Sequence, residues 1–378
     1  MSVNFCEAEF MRVNATPRTS WYFVVVTDKD GVEAVVEFTK GEKSLEVASL
    51  IQAMLGRIGR ADINSEKSIQ KLLGIKDPID GRSIKAAAIS AIRSAFSHIK
   101  ALKKGVPLVE YLGGEFRHRI PLYGNINRAL FATDRLPLDF ARAADRAVKR
   151  GFTTLKCAPF DEVQLPNLAE SVLDTARPGI ERVEAIRKAV GDEVTILVDC
   201  HSRFEEFTAH LVAEKLEKLS IGWFEEPLEP NSESEELKRV LPRITMPVAS
   251  GESGYGEAFF TSLLNNGALD IIMPDLKYCG GVSEAVAAGQ SAMTLGKGYS
   301  IHCPTGPISL LSSGHATAAV NGAMALEHAI DEVDWRSEII QPAEQVENGH
   351  LLINRTPGLG SRLNLEMVSS RGDRLIVK

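Results

Sequence analysis

The sequence predicts an α/β fold: a (β/α)8-type barrel with an α+β capping domain at its N-terminus. Three observations lead there. From Ile120 onward, short apolar runs alternate with helical periodicity through eight units. Three of those runs end in an acid, at Asp199, Glu225 and Glu252, so that 199 to 225 is 26 residues and 225 to 252 is 27. That interval suits one strand, one return helix and two short loops. The first 120 residues read differently, with strands first and helices afterwards.

Along the chain, residues 1–120 form the capping unit. Trp21–Val26, the polar Asp28-Lys29-Asp30-Gly31 and Val32–Phe38 read as a β-hairpin. Helical periodicity follows in Leu45–Ile58 and Ile84–Leu102, the latter stopped at Lys103-Lys104-Gly105. Residues 121–339 hold the barrel. Its strands are expected near Leu122–Ile126, Thr153–Lys156, Thr195–Asp199, Trp223–Glu225, Val248–Ser250, Ile271–Met273, Tyr299–Ile301 and Ala323–Glu327. Helices are expected over Leu138–Lys149, Ile180–Val190, Ala209–Leu219, Val282–Leu295 and Ile308–Ala319. The first or last unit has room to be modified. Eight regular units without a Gly-rich dinucleotide fingerprint speak against an open doubly wound sheet. The tail, residues 340–378, carries no further unit and is expected to pack back on the capping domain and complete it.

Composition narrows the function. Of 378 residues, 44% are apolar, enough for a large core. With 43 basic and 50 acidic residues the net charge is −7 and no Lys/Arg block occurs, so nucleic acid and anionic membrane are not expected partners. The longest early apolar run, Trp21–Val26, is too short for a signal segment or a membrane span. Five cysteines without paired spacing fit reduced thiols and a cytoplasmic setting. Cys200 and Cys303 adjoin site residues but lack an obvious partner base, which favours packing.

In such a barrel the site lies at the carboxyl ends of the strands. Those ends read Lys156, Asp199, Glu225, Glu252, Asp275, His302 and Glu327. Any one acid alone would be an ordinary loop residue. Three in register repel one another unless a cation sits among them, and an all-oxygen set suits Mg²⁺. Asp275 and His302 are one βα unit apart, so the carboxylate is expected to hold the imidazole tautomer and raise its basicity. His201 follows Asp199 by two. If strand geometry persists it shares that face, near the metal on the substrate side; otherwise it hydrogen-bonds within its loop.

The segments Leu197-Val198-Asp199-Cys200-His201, Trp223-Phe224-Glu225-Glu226-Pro227, Ala249-Ser250-Gly251-Glu252, Met273-Pro274-Asp275 and His302-Cys303-Pro304-Thr305-Gly306-Pro307 closely resemble the enolase superfamily. Within it they are similar to the mandelate-racemase subgroup and its acid-sugar dehydratases, of galactonate or gluconate dehydratase type. The resemblance covers nearly the whole chain, capping domain included. It implies that Asp199, Glu225 and Glu252 bind Mg²⁺, which acidifies the α-proton of a coordinated carboxylate and stabilises the enediolate. It makes His302, held by Asp275, the base. Glu327 becomes a protonated acid donating to the substrate carboxylate, His201 the acid for the departing 3-hydroxyl, and Glu226 a supporting residue.

The chain departs from that pattern in places. The subgroup's racemases carry Lys-x-Lys near the second strand, where this chain has Lys156-Cys157-Ala158, which favours elimination over racemisation. Lys277, two residues after Asp275, is either a base of a related kind, a substrate contact, or a solvated loop lysine. Ser253 stands where many relatives have Arg. The loop Asn14–Ser20 matches the loops that set specificity, and Arg18 in it either clamps a distal carboxylate or hydroxyls, or is simply solvated. The implied function is a Mg²⁺-dependent dehydratase of an aldonate or aldarate, giving a 2-keto-3-deoxy acid. The alternatives are a racemase or epimerase with Lys156 or Lys277 as second base, and a non-catalytic binding protein. The sequence leaves the sugar, its stereochemistry and any homo-oligomer open.

Overall fold

Valine and aromatic residues run through Thr19–Asp28, and the chain there forms a central strand of an antiparallel sheet. The computed structural model describes residues 2–230 and 235–377. Its first sheet contains β1 (Phe5–Thr16), β2 (Thr19–Asp28) and β3 (Glu33–Glu37), with a fourth strand from the tail beside β1. The β2–β3 turn is held by Asp28 Oδ1, which accepts from the amides of Asp30 at 3.0 Å and Val32 at 3.1 Å. Helices α1 (Ser44–Ile58), α2 (Glu66–Leu73) and α3 (Ile84–Lys104) pack against this sheet, and a short α4 (Leu108–Tyr111) leads onward. Ser83 caps α3 through the Ala86 amide, and Gly105 ends it in the left-handed conformation at φ 68°. Little of α3 is exposed, because its far side meets the second unit: Arg93 bridges Glu66 at 2.6 Å and Glu284 at 2.7 Å.

The second unit is a parallel sheet of eight strands: β4 (Arg119–Asn125), β5 (Thr154–Cys157), β6 (Thr195–Asp199), β7 (Ile221–Glu225), β8 (Val248–Ser250), β9 (Ile271–Ile272), β10 (Gly298–Tyr299) and β11 (Leu326–Ala329). Helices α5 (Pro137–Lys149), α6 (Val172–Val190), α7 (Glu206–Glu217), α8 (Glu235–Val240), α9 (Glu257–Asn265), α10 (Val282–Thr294) and α11 (Pro307–Ala318) connect them. Each strand pairs with the next from β4 to β10, and β11 pairs with β4. Between β10 and β11 the ladder gives way to two backbone hydrogen bonds, Met324 N–H to Tyr299 O at 2.9 Å and Glu327 N–H to Ile301 O at 3.4 Å, with the Ser300 hydroxyl donating to Ala325 O at 2.8 Å. Tyr123, Leu197, Trp223, Ala249, Ile271 and Met273 form their own apolar cluster inside the sheet, with Tyr123 and Trp223 edge to face at 5.3 Å. Two of its members touch buried charged residues, Trp223 meeting Glu225 and Tyr123 meeting Lys156.

The tail divides its contacts. β12 (Ile340–Gln341) pairs with β15 (Arg362–Leu363), and the hairpin β13 (Val346–Glu347) and β14 (His350–Leu352) adds antiparallel to the start of β4. After α12 (Leu365–Arg371), β16 (Gly372–Leu375) pairs with β1. The tail therefore touches the parallel strands as well as the first sheet, which the sequence did not suggest. Among the described residues no helix is long and apolar enough to cross a membrane.

Candidate active site

β6 and β7 lie in register with Asp199 opposite Glu225, so both carboxylates leave the sheet at one level. Glu252 follows two residues after the end of β8, past Gly251 at φ 107°. Each acid is turned onto a basic neighbour. Asp199 Oδ2 meets His201 Nε2 at 3.0 Å, Glu225 Oε1 meets Lys156 Nζ at 2.7 Å, and Glu252 Oε2 meets His302 Nε2 at 2.9 Å. The indole of Trp223 donates to the other oxygen of Glu225 at 2.9 Å.

Lys156 is wholly buried, and its ammonium also contacts Glu327 Oε1 at 2.8 Å and Asp199 Oδ2 at 3.7 Å. Burial opposes its charge, but Glu225 and Glu327 outweigh burial and raise its proton affinity well above the ordinary lysine range. One cation cannot balance three carboxylates. Burial, with Asp199 and Glu327 nearby, pushes Glu225 up to about 8 despite Lys156. Asp199 is held down: burial is outweighed by His201 and Lys156.

His302 stands between two acids, its Nδ1 2.9 Å from Asp275 Oδ2 and its Nε2 on Glu252, with Glu327 Oε2 3.7 Å away. Burial disfavours the imidazolium, but Glu252 and Glu327 outweigh burial and raise it well above the ordinary histidine range. Asp275 is shared. Lys277 grips both of its oxygens, at 2.8 and 2.7 Å, and the Lys277 amide donates to Oδ1 at 2.8 Å. Burial would raise Asp275, but Lys277 and His302 bring it down to about 2. Lys277 is correspondingly raised, Asp275 outweighing burial, and its side chain is buried rather than solvated.

Two expectations change. Glu327 was expected as a protonated donor, yet it accepts from the Asn125 amide at 2.7 Å, the Cys303 backbone N–H at 2.8 Å and Lys156. Burial is outweighed by Lys156 and His302, and the carboxyl is lowered from its ordinary value, which favours the charged form over the protonated one. His201 does meet Asp199, but not through continued strand alternation. The strand ends at Asp199, and His201 and Ser202 turn into the left-handed region at φ 49° and 54°, the His201 amide donating to Asp199 Oδ1 at 2.9 Å. The His201 side chain is half exposed, at 50%, so water screens its pairing with Asp199. Asp199, ahead of burial, raises the imidazole to about 9.

Glu226 turns away at φ 41°, accepting from the Gly251 amide at 3.1 Å and the hydroxyls of Ser250 at 3.2 Å and Ser202 at 3.3 Å. Burial, then Glu252 and Asp199, push it up to about 8. Cys200 and Cys303 are buried and their thiols are raised by burial, Cys303 to about 11.

A cavity of about 390 Å³ opens on the His302–Asp275 end of this cluster; its lining includes His302, Asp275 and Lys277 together with Arg18, Arg128 and Glu332, and not Asp199, Glu225 or Glu252. Arg18 sits in the β1–β2 turn with its guanidinium 5.7 Å from the Phe131 ring. A larger cavity of about 840 Å³ lies nearby, between residues 77–82 and the loop after β8, but its lining does not include His302. Sequence reasoning missed Asn125, Arg128 and Glu332. Asn125 had a signal, as a polar residue inside the apolar run Leu122–Ile126; Arg128, in a short 3-10 turn, and Glu332, in a loop, had none.

The donor chemistry of Asp199, Glu225 and Glu252 fits a hard divalent cation: three carboxylates from consecutive strands, with more buried acid than base around them. In the arrangement described no three such side chains gather on one point among the described residues, because each acid faces its basic partner. Glu252, 27% exposed, has room to turn.

Known proteins resemble this chain over most of its length. A D-xylonate dehydratase of Haloferax volcanii is 28% identical over 362 residues, covering 93% of this chain and 85% of that one. An arabinonate dehydratase of Saccharolobus solfataricus is 30% identical over 281 residues, covering 74% of this chain and 70% of that one. A solved enolase-superfamily member from Salmonella Typhimurium superposes with a TM-score of 0.85 at 23% identity, covering 100% of both chains, and shows a common fold. The family model described as enolase C-terminal domain-like matches residues 139–367, and the chain belongs to that family, within the enolase superfamily.

Proposed function

We propose that the protein dehydrates an acid sugar, an aldonate or aldarate, to a 2-keto-3-deoxy acid. On this reading the eight parallel strands act as a (β/α)8 barrel capped by residues 1–120, with 340–378 bracing both. The observation that carries it is the His302–Asp275 pair at 2.9 Å, with the other imidazole nitrogen directed at the acids of the neighbouring strands. A carbon acid bound beside those acids presents its α-hydrogen to Nε2, while Asp275 fixes the proton on Nδ1. The relatives named xylonate and arabinonate dehydratase support the reaction class.

Asp199, Glu225 and Glu252 would hold Mg²⁺, which when bound offsets the negative charge that grows on the substrate carboxylate as the α-proton leaves. His302 acts as base in its neutral form, so it works where the charge of Glu252 is offset. His201, half exposed at the mouth, is placed to hand a proton to the departing 3-hydroxyl. Asn125, Cys303 N–H and Lys156 hold Glu327 beside His302. Lys156 and Lys277 are the two candidate second bases for racemisation. Both are buried and fastened to carboxylates, which supports elimination instead.

A panel of aldonates and aldarates incubated with the protein and Mg²⁺ tests the reading by 2-keto acid formation. At least one acid is expected to turn over, and chelation is expected to stop it until Mg²⁺ is restored. No keto acid from any member, or full activity after exhaustive chelation, would remove the proposal.

A further inference from the structure

We propose that Arg128 and Glu332, in the wall of the cavity that His302 also lines, read a hydroxyl of the substrate tail, so that the enzyme selects aldonates over aldarates. This rests on the dehydratase reading above and narrows its substrate class. Glu332 is buried, with one oxygen accepting from the Thr19 hydroxyl at 2.7 Å and the other without a hydrogen-bond partner among the described residues. Arg128 approaches the first oxygen only to 4.0 Å, beyond hydrogen-bond reach. An oxygen seated between Arg128 Nη1 and Glu332 Oε1 can lie within hydrogen-bond distance of both, because Oε1 keeps a lone pair beyond its Thr19 contact.

The two sides of that gap ask for different things. Glu332 accepts only, and Arg128 donates only. A hydroxyl satisfies both at once, donating a hydrogen bond to Glu332 and accepting one from Arg128. A second carboxylate satisfies Arg128 alone and sets two anions together in a poorly solvated place. The wider lining agrees. Once Lys277 and Asp275 are paired with each other, Arg18 and Arg128 are matched by Glu42 and Glu332, and His302 in its neutral working form adds no charge. The wall therefore lacks the net positive charge that would draw a dianion tail first.

The test compares kcat/KM for the best aldonate of the panel with that for the aldarate of the same carbon configuration, in wild type, Glu332→Gln and Glu332→Asp. Wild type is expected to favour the aldonate. Glu332→Gln is expected to cut that preference about 10- to 100-fold, the worth of a hydrogen bond to a charged acceptor, because its amide can donate to a carboxylate. Glu332→Asp keeps the charge and is expected to keep the direction of the preference. An aldarate turned over as well as its aldonate by wild type would overturn the inference while leaving the dehydratase reading intact, as would an unchanged ratio in Glu332→Gln. Failure of wild type on every acid would remove both.

Discussion

Replacing Asp275 by Asn separates charge balance from catalysis, because Asp275 serves two basic groups at once. Its Oδ2 lies 2.9 Å from His302 Nδ1 and 2.7 Å from Lys277 Nζ, and Lys277 is 2% exposed. The substitution leaves that ammonium buried without its anion, a change that costs about 3–5 kcal/mol in comparable buried pairs. It also removes the acceptor that fixes the imidazole tautomer, and a positioned base contributes about 10²- to 10⁴-fold to rate. Asp275→Asn is therefore expected to lose both stability and turnover. Asp275→Asn with Lys277→Met removes the orphaned charge, so urea unfolding should recover most of the stability while kcat stays low.

The pH dependence has a defined sign. A carboxyl lowered from 3.8 to about 2 stabilises the folded state above about pH 4 by about 2 kcal/mol, and loses that contribution as pH falls through about 2. The double variant should lack this segment of the acid limb. Recovery of kcat together with stability in the double variant would refute the orienting role and leave Asp275 a mere counter-ion to Lys277.

Other outcomes follow from the same geometry. His201→Asn should keep its fold, since Asn tolerates the φ of 49° at that position, and should block keto-acid formation while solvent exchange of the substrate α-proton continues; wild-type dehydration would end the role of His201 as leaving-group acid. Mg²⁺ binding at pH 7 should release protons, because Glu225 stands at about 8 and must give up its proton to serve as a ligand; calorimetry in buffers of different ionisation enthalpy reads this, and no net release would count against Glu225 as a ligand. In chelator, Glu226→Gln should be more stable than wild type near pH 9 and little different near pH 5. A carboxyl raised to about 8 weakens the fold as pH climbs from 4.5 through 8, and equal unfolding curves at pH 9 would reject the raised carboxyl.

Much of this was legible because a βα repeat converts sequence interval into position. Asp199 and Glu225, 26 residues apart, sit opposite one another, and Asp275 and His302, 27 apart, meet at 2.9 Å. The strand β1 was not read. Its apolar residues are interrupted by Glu7, Glu9, Arg12 and Asn14, and register shifts at Phe5/Glu7 and Asn14/Thr16 spoil the two-residue alternation. The role of Lys156 was also out of reach. A lysine ending a strand reads the same whether it faces water or three carboxylates, and only the lateral order β11, β4, β5, β6, β7 decides. His201 reached its partner by a turn rather than by alternation, which no spacing rule encodes. Arg128 and Glu332 come together across 204 residues from a three-residue 3-10 turn and an irregular loop, where local pattern carries no register.

The most direct test of the account is the rate of 2-keto-3-deoxy acid formation by His302→Asn in saturating Mg²⁺, measured beside wild type on the best acid of the panel. Asn keeps a polar side chain at the position but cannot take a proton. The account predicts a fall of about 10² to 10⁴ with unfolding behaviour close to wild type. Turnover near the wild-type rate would contradict it, and the base would have to be sought at Lys277.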